Sequence, residues 1–154
     1  MVYLLGNYVN LKKLKKKVHK LIVSSINPYK VLGISSHEND YRLSWALNRK
    51  LDLQFRKTDN LLIRSANEGD KEFSVFQSDG NGNLLKLNLI SNRCADGFLI
   101  REMKNIDFIL QIFGDIDQDE LDTIAAKLKT INLVSTVFEI IPDNFKKPEY
   151  LPSE

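Results

Sequence analysis

Residues 107–141 constrain the fold most strongly, because their pattern predicts a strand, a turn, a helix and a second strand in succession. Residues 108–113 form a short apolar run closed by a Gly-Asp pair, which is typical of a partly buried strand that ends in a turn. Asp117 and Glu120 form a capping-box pattern, so we expect a helix to begin there. One apolar stripe extends this helix through Leu121, Ile124, Ala125, Leu128 and Ile131. Residues 133–141 are again rich in strand-forming residues.

The stretch 29–57 repeats this plan with different residues. Its two ends predict strands, because both are short segments with apolar or alternating character. Ser35 and Glu38 form a second capping-box pattern, so we expect a helix over residues 37–51. The inward face of this helix is expected to consist of Leu43, Ala46, Leu47 and Leu51.

A β-hairpin is predicted between these units, since residues 78–83 are rich in Gly, Asn and Asp, which tolerate the positive φ angles of tight turns. In its second strand leucines alternate with Lys86 and Asn88, so we expect one buried and one solvent-exposed face. The predicted fold is α+β: one largely antiparallel sheet of about six strands, with helices 37–51 and 117–131 on one face, in an extended ferredoxin-like or ACT-like plan. The strands are expected at 29–35, 53–57, 73–77, 84–91, 107–113 and 133–141.

The chain has 154 residues, of which 43% are hydrophobic, and this predicts one globular domain with a core of its own. We assign this domain to residues 21–142, preceded by a basic extension, residues 1–20, and followed by a flexible tail, residues 143–154. The net charge of +2 is unevenly placed, because the extension carries six lysines and no acid. The remaining residues hold 16 basic and 20 acidic side chains, a net charge of −4.

The lysines of the extension leave two interpretations open. Apolar residues at helical spacing among them favour a basic amphipathic helix, which could contact RNA phosphates or anionic lipid. Alternatively, the extension is a solvated terminus without a partner, because no aromatic residue is interleaved among the lysines to stack on bases. The lysines concerned are Lys12, Lys13, Lys15, Lys16, Lys17 and Lys20.

The compartment is suggested by cysteine content and by the N-terminal pattern. The single cysteine, Cys94, cannot form a disulfide within the chain. Residues 1–9 are apolar but too short to span a bilayer, and the charges follow them, whereas a secretory signal has its charges first. We therefore expect a cytoplasmic protein without a transmembrane segment.

Residues 100–108, Ile-Arg-Glu-Met-Lys-Asn-Ile-Asp-Phe, resemble the signature of the IPExxxVDY family of bacterial proteins. The identical positions are Ile100, Glu102 and Asp107. Ile106 and Phe108 stand in for Val and Tyr, while Arg101 replaces the proline of the signature, so any rigid turn that this proline supplies is in doubt. The resemblance extends from about residue 19 to residue 142. The family has no established activity, cofactor or ligand, so the resemblance implies a small cytoplasmic bacterial protein without a mechanism.

Motifs for cofactor or metal chemistry are absent from the sequence. It contains no Walker A or GxGxxG pattern, and its two histidines have no companions at metal-ligand spacing. Asp115, Asp117 and Asp119 have the spacing of calcium-loop ligands, but Glu120 and Ala126 occupy the positions of the required glycine and glutamate. A helix cap explains these acids better. We therefore predict no cofactor, no metal and no enzymatic activity.

The charged candidates for a site fall into two groups. Glu102 and Asp107 could form an acid–base pair, or Glu102 could pair locally while Asp107 marks the entry to a strand. Three arginines could bind an anion if the first helix and the loop 91–97 meet, or they could simply be solvated. These arginines are Arg42, Arg49 and Arg93.

Tyr41 and Trp45 are the aromatic candidates, one helical turn apart. If the leucine face of the first helix packs on the sheet, they lie at its margin and could anchor a partner. Alternatively, both rings belong to the core, given the large area that a tryptophan buries.

Three functions remain open. The first is a non-catalytic protein-interaction module that uses a sheet edge or the helix face. Its partner is either a second copy of itself, in a homodimer, or another protein. The second is an ACT-like sensor of a small ligand, at the turn formed by Gly114 and Asp115. The third is an RNA- or ribosome-associated protein that uses the lysines of residues 1–20.

Overall fold

The computed structural model describes residues 29–80, 82 and 84–153. Its strands are β1 (Tyr29–Ser35), β2 (Arg56–Lys57), β3 (Leu61–Ile63), β4 (Lys71–Phe73), β5 (Val75–Asp79), β6 (Lys86–Ser91), β7 (Arg93–Cys94), β8 (Gly97–Phe98), β9 (Phe108–Phe113) and β10 (Thr136–Ile140). Its α-helices are α1 (Asp40–Leu51) and α2 (Gln118–Lys129), and two short 3-10 helices follow β10 at Pro142–Asn144 and Pro148–Tyr150. The predicted α+β class is therefore confirmed.

Six strands form the main sheet in the order β10-β1-β9-β6-β5-β2, and each neighbouring pair is antiparallel. Because direction alternates across the sheet, β9 and β10 run parallel to each other, with β1 between them and α2 as their connection. β1 and β2 are also parallel, but β9, β6 and β5 separate them. Sequence periodicity predicts the strands, whereas this order depends on pairings between distant segments.

Two predicted strands differ in the structure. The strand expected at 53–57 is reduced to the two residues of β2, at the sheet edge. The strand expected at 73–77 is divided: Phe73 ends β4, which pairs with β3 in a separate small sheet, and β5 begins at Val75. The division arises because Phe73 lies opposite Leu61 in that small sheet, a pairing that no local pattern reveals.

Both helices cover the same face of the main sheet, as predicted. Their buried leucines pack with β-strand side chains in one continuous core cluster. Fully burying each leucine favours folding by about 1.5–3 kcal/mol relative to leaving it exposed. The leucines are Leu43 and Leu47 of α1 and Leu121 and Leu128 of α2.

The sequence predicts the start of α2 correctly and the start of α1 too early. α2 has the expected capping box: Glu120 N–H donates to Asp117 Oδ1 at 2.8 Å, and Asp117 N–H donates to Glu120 Oε2 at 3.0 Å. α1 begins later than predicted, at Asp40, because its N-cap is Asn39 rather than Ser35. The hydroxyl of Ser35 donates instead to the Asn105 carbonyl, so a long-range contact removes it from the cap.

The second face of the sheet is also covered, so of the two hairpin residues expected to be solvent-exposed only Lys86 is. Asn88 is buried, and every residue of β9 is buried, including Gln111, which has no exposed surface. Asn88 Nδ2 donates to Gln111 Oε1 at 3.1 Å, so these two polar side chains satisfy each other inside the core. The apolar cover on this face comes from Leu99, Ile100, Ile106, Phe145 and Leu151.

The C-terminal segment, residues 143–153, packs on this second face, although the sequence predicted a flexible tail. Phe145 and Leu151 are buried, and Gln111 Nε2 donates to the Pro152 carbonyl at 2.8 Å. Burial, together with the negative charge of Asp143, raises the pKa of Tyr29 above its ordinary value. The sequence pattern missed this packing because two apolar residues among charged ones show no helix or strand period.

Phe145→Ala is expected to lower the free energy of unfolding by about 3–5 kcal/mol, because it removes a buried aromatic ring from the second face. Urea denaturation followed by circular dichroism measures this loss. Ile141→Ala is the matched control, since Ile141 is 57% exposed and lies only four residues earlier. Equal losses in the two variants contradict the packing of the C-terminal segment.

Candidate functional site

Asp107, at the entry to β9, is the most constrained of the predicted site residues. It is 8% exposed, and both carboxylate oxygens accept hydrogen bonds. Ser36 N–H donates to Oδ2 at 2.8 Å, and Arg93 Nε donates to Oδ1 at 2.5 Å. Arg93 also donates through Nη2 to the Lys104 carbonyl at 3.0 Å. The carboxylate therefore joins three segments, which favours the strand-entry interpretation.

Asn92 is a neighbouring residue that the sequence analysis missed. It is completely buried, and its Nδ2 donates to the Met103 and Ile106 carbonyls at 3.0 and 2.9 Å. Its Oδ1 accepts from Ile100 N–H at 2.7 Å. Asn92 thus fixes the loop that carries the signature-like residues. The sequence did not indicate its burial, because an asparagine in a polar stretch resembles any loop residue.

Glu102 does not join Asp107. Glu102 Oε1 lies 3.5 Å from Lys146 Nζ, and the two carboxylates line separate depressions of the surface. Glu102 therefore pairs with a lysine distant in sequence, and not with a local partner as the second interpretation expected. The geometry therefore offers no support for an acid–base pair at these positions.

The three arginines do not converge on one anion site. The loop before α1 and Arg93 do meet, in a depression of about 500 Å³, but Glu38, Asp40 and Asp107 also line it. Arg42 Nη1 pairs with Glu38 Oε2 at 2.7 Å. Arg49 lies at the opposite end of α1 from Arg42, over the ring of Trp45. Each of the three arginines thus has a partner within the chain.

Tyr41 and Trp45 are exposed rather than part of the core, with 63% and 61% of their surface accessible. The Tyr41 ring meets Phe76 of β5 edge-on, with 5.3 Å between ring centroids. The Arg49 guanidinium lies 4.9 Å from the centroid of the Trp45 ring. Since these three residues are spaced by four, they share one side of the helix. We call the surface formed by Tyr41, Trp45 and Arg49 the α1 face.

A second surface was not predicted. A groove of about 990 Å³ lies between the β7–β8 hairpin, the following loop and the C-terminal segment. It could not be found from sequence, because it brings together residues from three distant stretches of the chain. We call it the basic groove, after its cationic residues Lys71, Arg101, Lys104, Lys146 and Lys147.

The turn expected to hold a ligand in the sensor hypothesis is tightly packed. Gly114 has φ +118°, and an added Cβ would lie 2.7 Å from Leu85 Cδ2 and 3.1 Å from the Leu84 carbonyl oxygen. Neither the basic groove nor the depression beside Asp107 has this turn in its lining. The lysines proposed to contact RNA lie in residues 1–28, outside the described part of the chain, so that prediction stays open.

The remaining predictions concern metals and membranes. Within residues 29–80, 82 and 84–153, no group of three or more His, Cys, Asp or Glu side chains is arranged to hold a metal ion. Neither α1 nor α2 has the length and apolar character needed to cross a bilayer. Cys94 is a free, half-buried thiol.

No protein-family model matches the chain, and no curated protein matches it. The resemblance to the IPExxxVDY signature therefore stays a prediction that rests on the residues quoted above.

Asn92→Ala is expected to destabilise the protein by about 3 kcal/mol or more, because it leaves two carbonyls and one N–H without their buried partner. Urea denaturation gives the difference from the wild type. Asn105→Ala, at an exposed asparagine of the same loop, should change stability by less than about 0.5 kcal/mol. If both variants lose the same stability, Asn92 does not hold the loop.

Proposed function

We propose that this protein is a non-catalytic interaction module that pairs with a second copy of itself through the α1 face. The observation that carries the proposal is the exposure of Trp45, the single tryptophan of the chain, beside an equally exposed Tyr41. Tryptophan, tyrosine and arginine are the residues that most often dominate binding energy at protein interfaces. All three types are present on one side of one helix.

The α1 face is complementary to itself. Trp45 lies near the middle of the 12-residue helix, and Tyr41 and Arg49 lie four residues to either side. If two copies of α1 pair antiparallel about a two-fold axis at Trp45, each Tyr41 faces the Arg49 of the other copy. This contact is a cation–π interaction made twice by symmetry. The second copy is therefore the occupant that the surface fits best.

The surroundings of the α1 face suit an interface with a polar margin. Arg42 and Glu38 form an ion pair beside the aromatic residues, and Lys50 is exposed near the end of the helix. Such charged residues are typical of an interface rim, while aromatic residues occupy its centre. The Tyr41–Phe76 contact anchors one of these rings against the sheet, which lowers the entropy lost on binding.

The proposal also covers the fold plan, the family and the absence of catalysis that the sequence predicts. We propose an extended ferredoxin-like plan, supported by the β9–α2–β10 unit, whose strands have β1 inserted between them. A cytoplasmic bacterial protein of the IPExxxVDY type is consistent with this reading. The absence of catalysis is supported by Asp107, whose two oxygens are engaged in positioning backbone and Arg93.

Sedimentation equilibrium over a range of protein concentrations tests the dimer. The wild type should dimerise, and Trp45→Ala should raise the dimer dissociation constant by about thirtyfold or more, as expected for a central interface tryptophan worth about 2 kcal/mol. Leu84→Ala is the control, since it removes an exposed apolar side chain at a site outside α1. A wild type that stays monomeric, or a dimer equally stable without Trp45, overturns the proposal.

A further inference from the structure

The basic groove has an excess of positive charge. Five cationic side chains line it, against the three carboxylates Glu68, Asp96 and Glu102. Lys71 Nζ lies 3.1 Å from Glu68 Oε2, and the Arg101 guanidinium pairs with the same oxygen atom. One carboxylate is thus shared by two cations, so their charge is only partly neutralised.

Two of the cations, Lys71 and Lys147, are held in place by neighbouring groups. The Lys71 side chain is 13% exposed, because it lies against the backbone of Gly97 and the loop carrying Glu68. Lys147 Nζ contacts the Tyr150 hydroxyl at 2.8 Å and lies 4.9 Å from the ring centroid. Since these partners fix the ammonium groups, less conformational entropy is lost when an anion binds.

The groove also has an apolar floor. Leu99, Ile100 and Phe145 line it while packing into the core cluster of the second sheet face. Phe98 and Tyr150 add half-buried aromatic rings. A ligand that matches this surface carries both negative charges and apolar groups. It must also be extended, because the cations come from separate segments of the chain.

We infer that the basic groove binds an extended acidic segment of a partner protein, with glutamate or aspartate side chains at its cations and apolar side chains on its floor. A polypeptide fits better than a nucleic acid, because three carboxylates interrupt the cations, whereas a phosphate backbone presents continuous negative charge. The chain's own residues 1–28 are not the complement, since they contain six lysines and no acid.

This site is independent of the proposed dimer. The groove floor belongs to the core cluster on the second sheet face, whereas α1 packs on the first. A dimer can therefore present two grooves, and loss of one function should leave the other intact. Failure of the sedimentation experiment and failure of groove binding are separate outcomes.

Fluorescence anisotropy of the full chain with a fluorescein-labelled peptide of glutamate, serine and phenylalanine tests the inference. The wild type should bind the peptide with an affinity that falls as salt rises. Arg101→Gln/Lys147→Gln should weaken binding by about tenfold or more, since two charge-assisted contacts are lost. The Arg101 and Lys147 side chains are exposed, so the double variant should keep the fold. Lys104→Gln, at a third exposed cation of the groove, is an independent single variant.

Lys127→Gln/Lys129→Gln is the control, because it makes the same change in charge on α2, over the other face of the sheet. It should alter the affinity by no more than about twofold. A labelled single-stranded RNA of equal length is measured in parallel. The inference is overturned if the peptide does not bind, if the control weakens binding as much as the groove variant, or if RNA binds the groove more tightly.

Discussion

The complete burial of β9 is the constraint on which the rest of the structure depends. All six of its residues are buried, so the sheet must be covered on both faces. The two α-helices cover one face, and loops with the C-terminal segment cover the other. Gln111, in the middle of this strand, is tolerated there because Asn88 and the Pro152 carbonyl satisfy its amide. An extended tail would leave that amide and several apolar side chains uncovered.

The same constraint explains why polar residues suspected of chemistry serve the fold. The loop that precedes β9 contains the signature-like residues, and it must lie flat on the second face for its isoleucines to be buried. Asn92 and Asp107 hold the two sides of this loop through hydrogen bonds to backbone groups. Once the loop and the C-terminal segment are in place, their charged side chains form the walls of the basic groove. The packing of this face is therefore a precondition for any binding in the basic groove.

Local signals in the sequence were reliable where local interactions decide the structure. The capping box of α2 and the leucine spacing of α1 were predicted because each involves residues within a turn or two of helix. The later start of α1, the division of the 73–77 strand and the packed C-terminal segment were missed, since contacts such as Ser35–Asn105 and Gln111–Pro152 join residues far apart in sequence. For Trp45 the sequence left core and surface equally open, because helical spacing does not show how far an aromatic ring extends beyond the sheet.

The exposed aromatic side of α1 is the feature that the demands of the core do not explain, and it is the basis of the proposed self-association. Trp45 also reports directly on this claim, because the chain contains one tryptophan. The most direct measurement is therefore the tryptophan emission spectrum, with acrylamide quenching, as the protein is diluted from high to low concentration. Burial between two copies predicts blue-shifted, protected emission at high concentration that becomes red-shifted and quenchable on dilution. Emission that is red-shifted and equally quenchable at every concentration would contradict it.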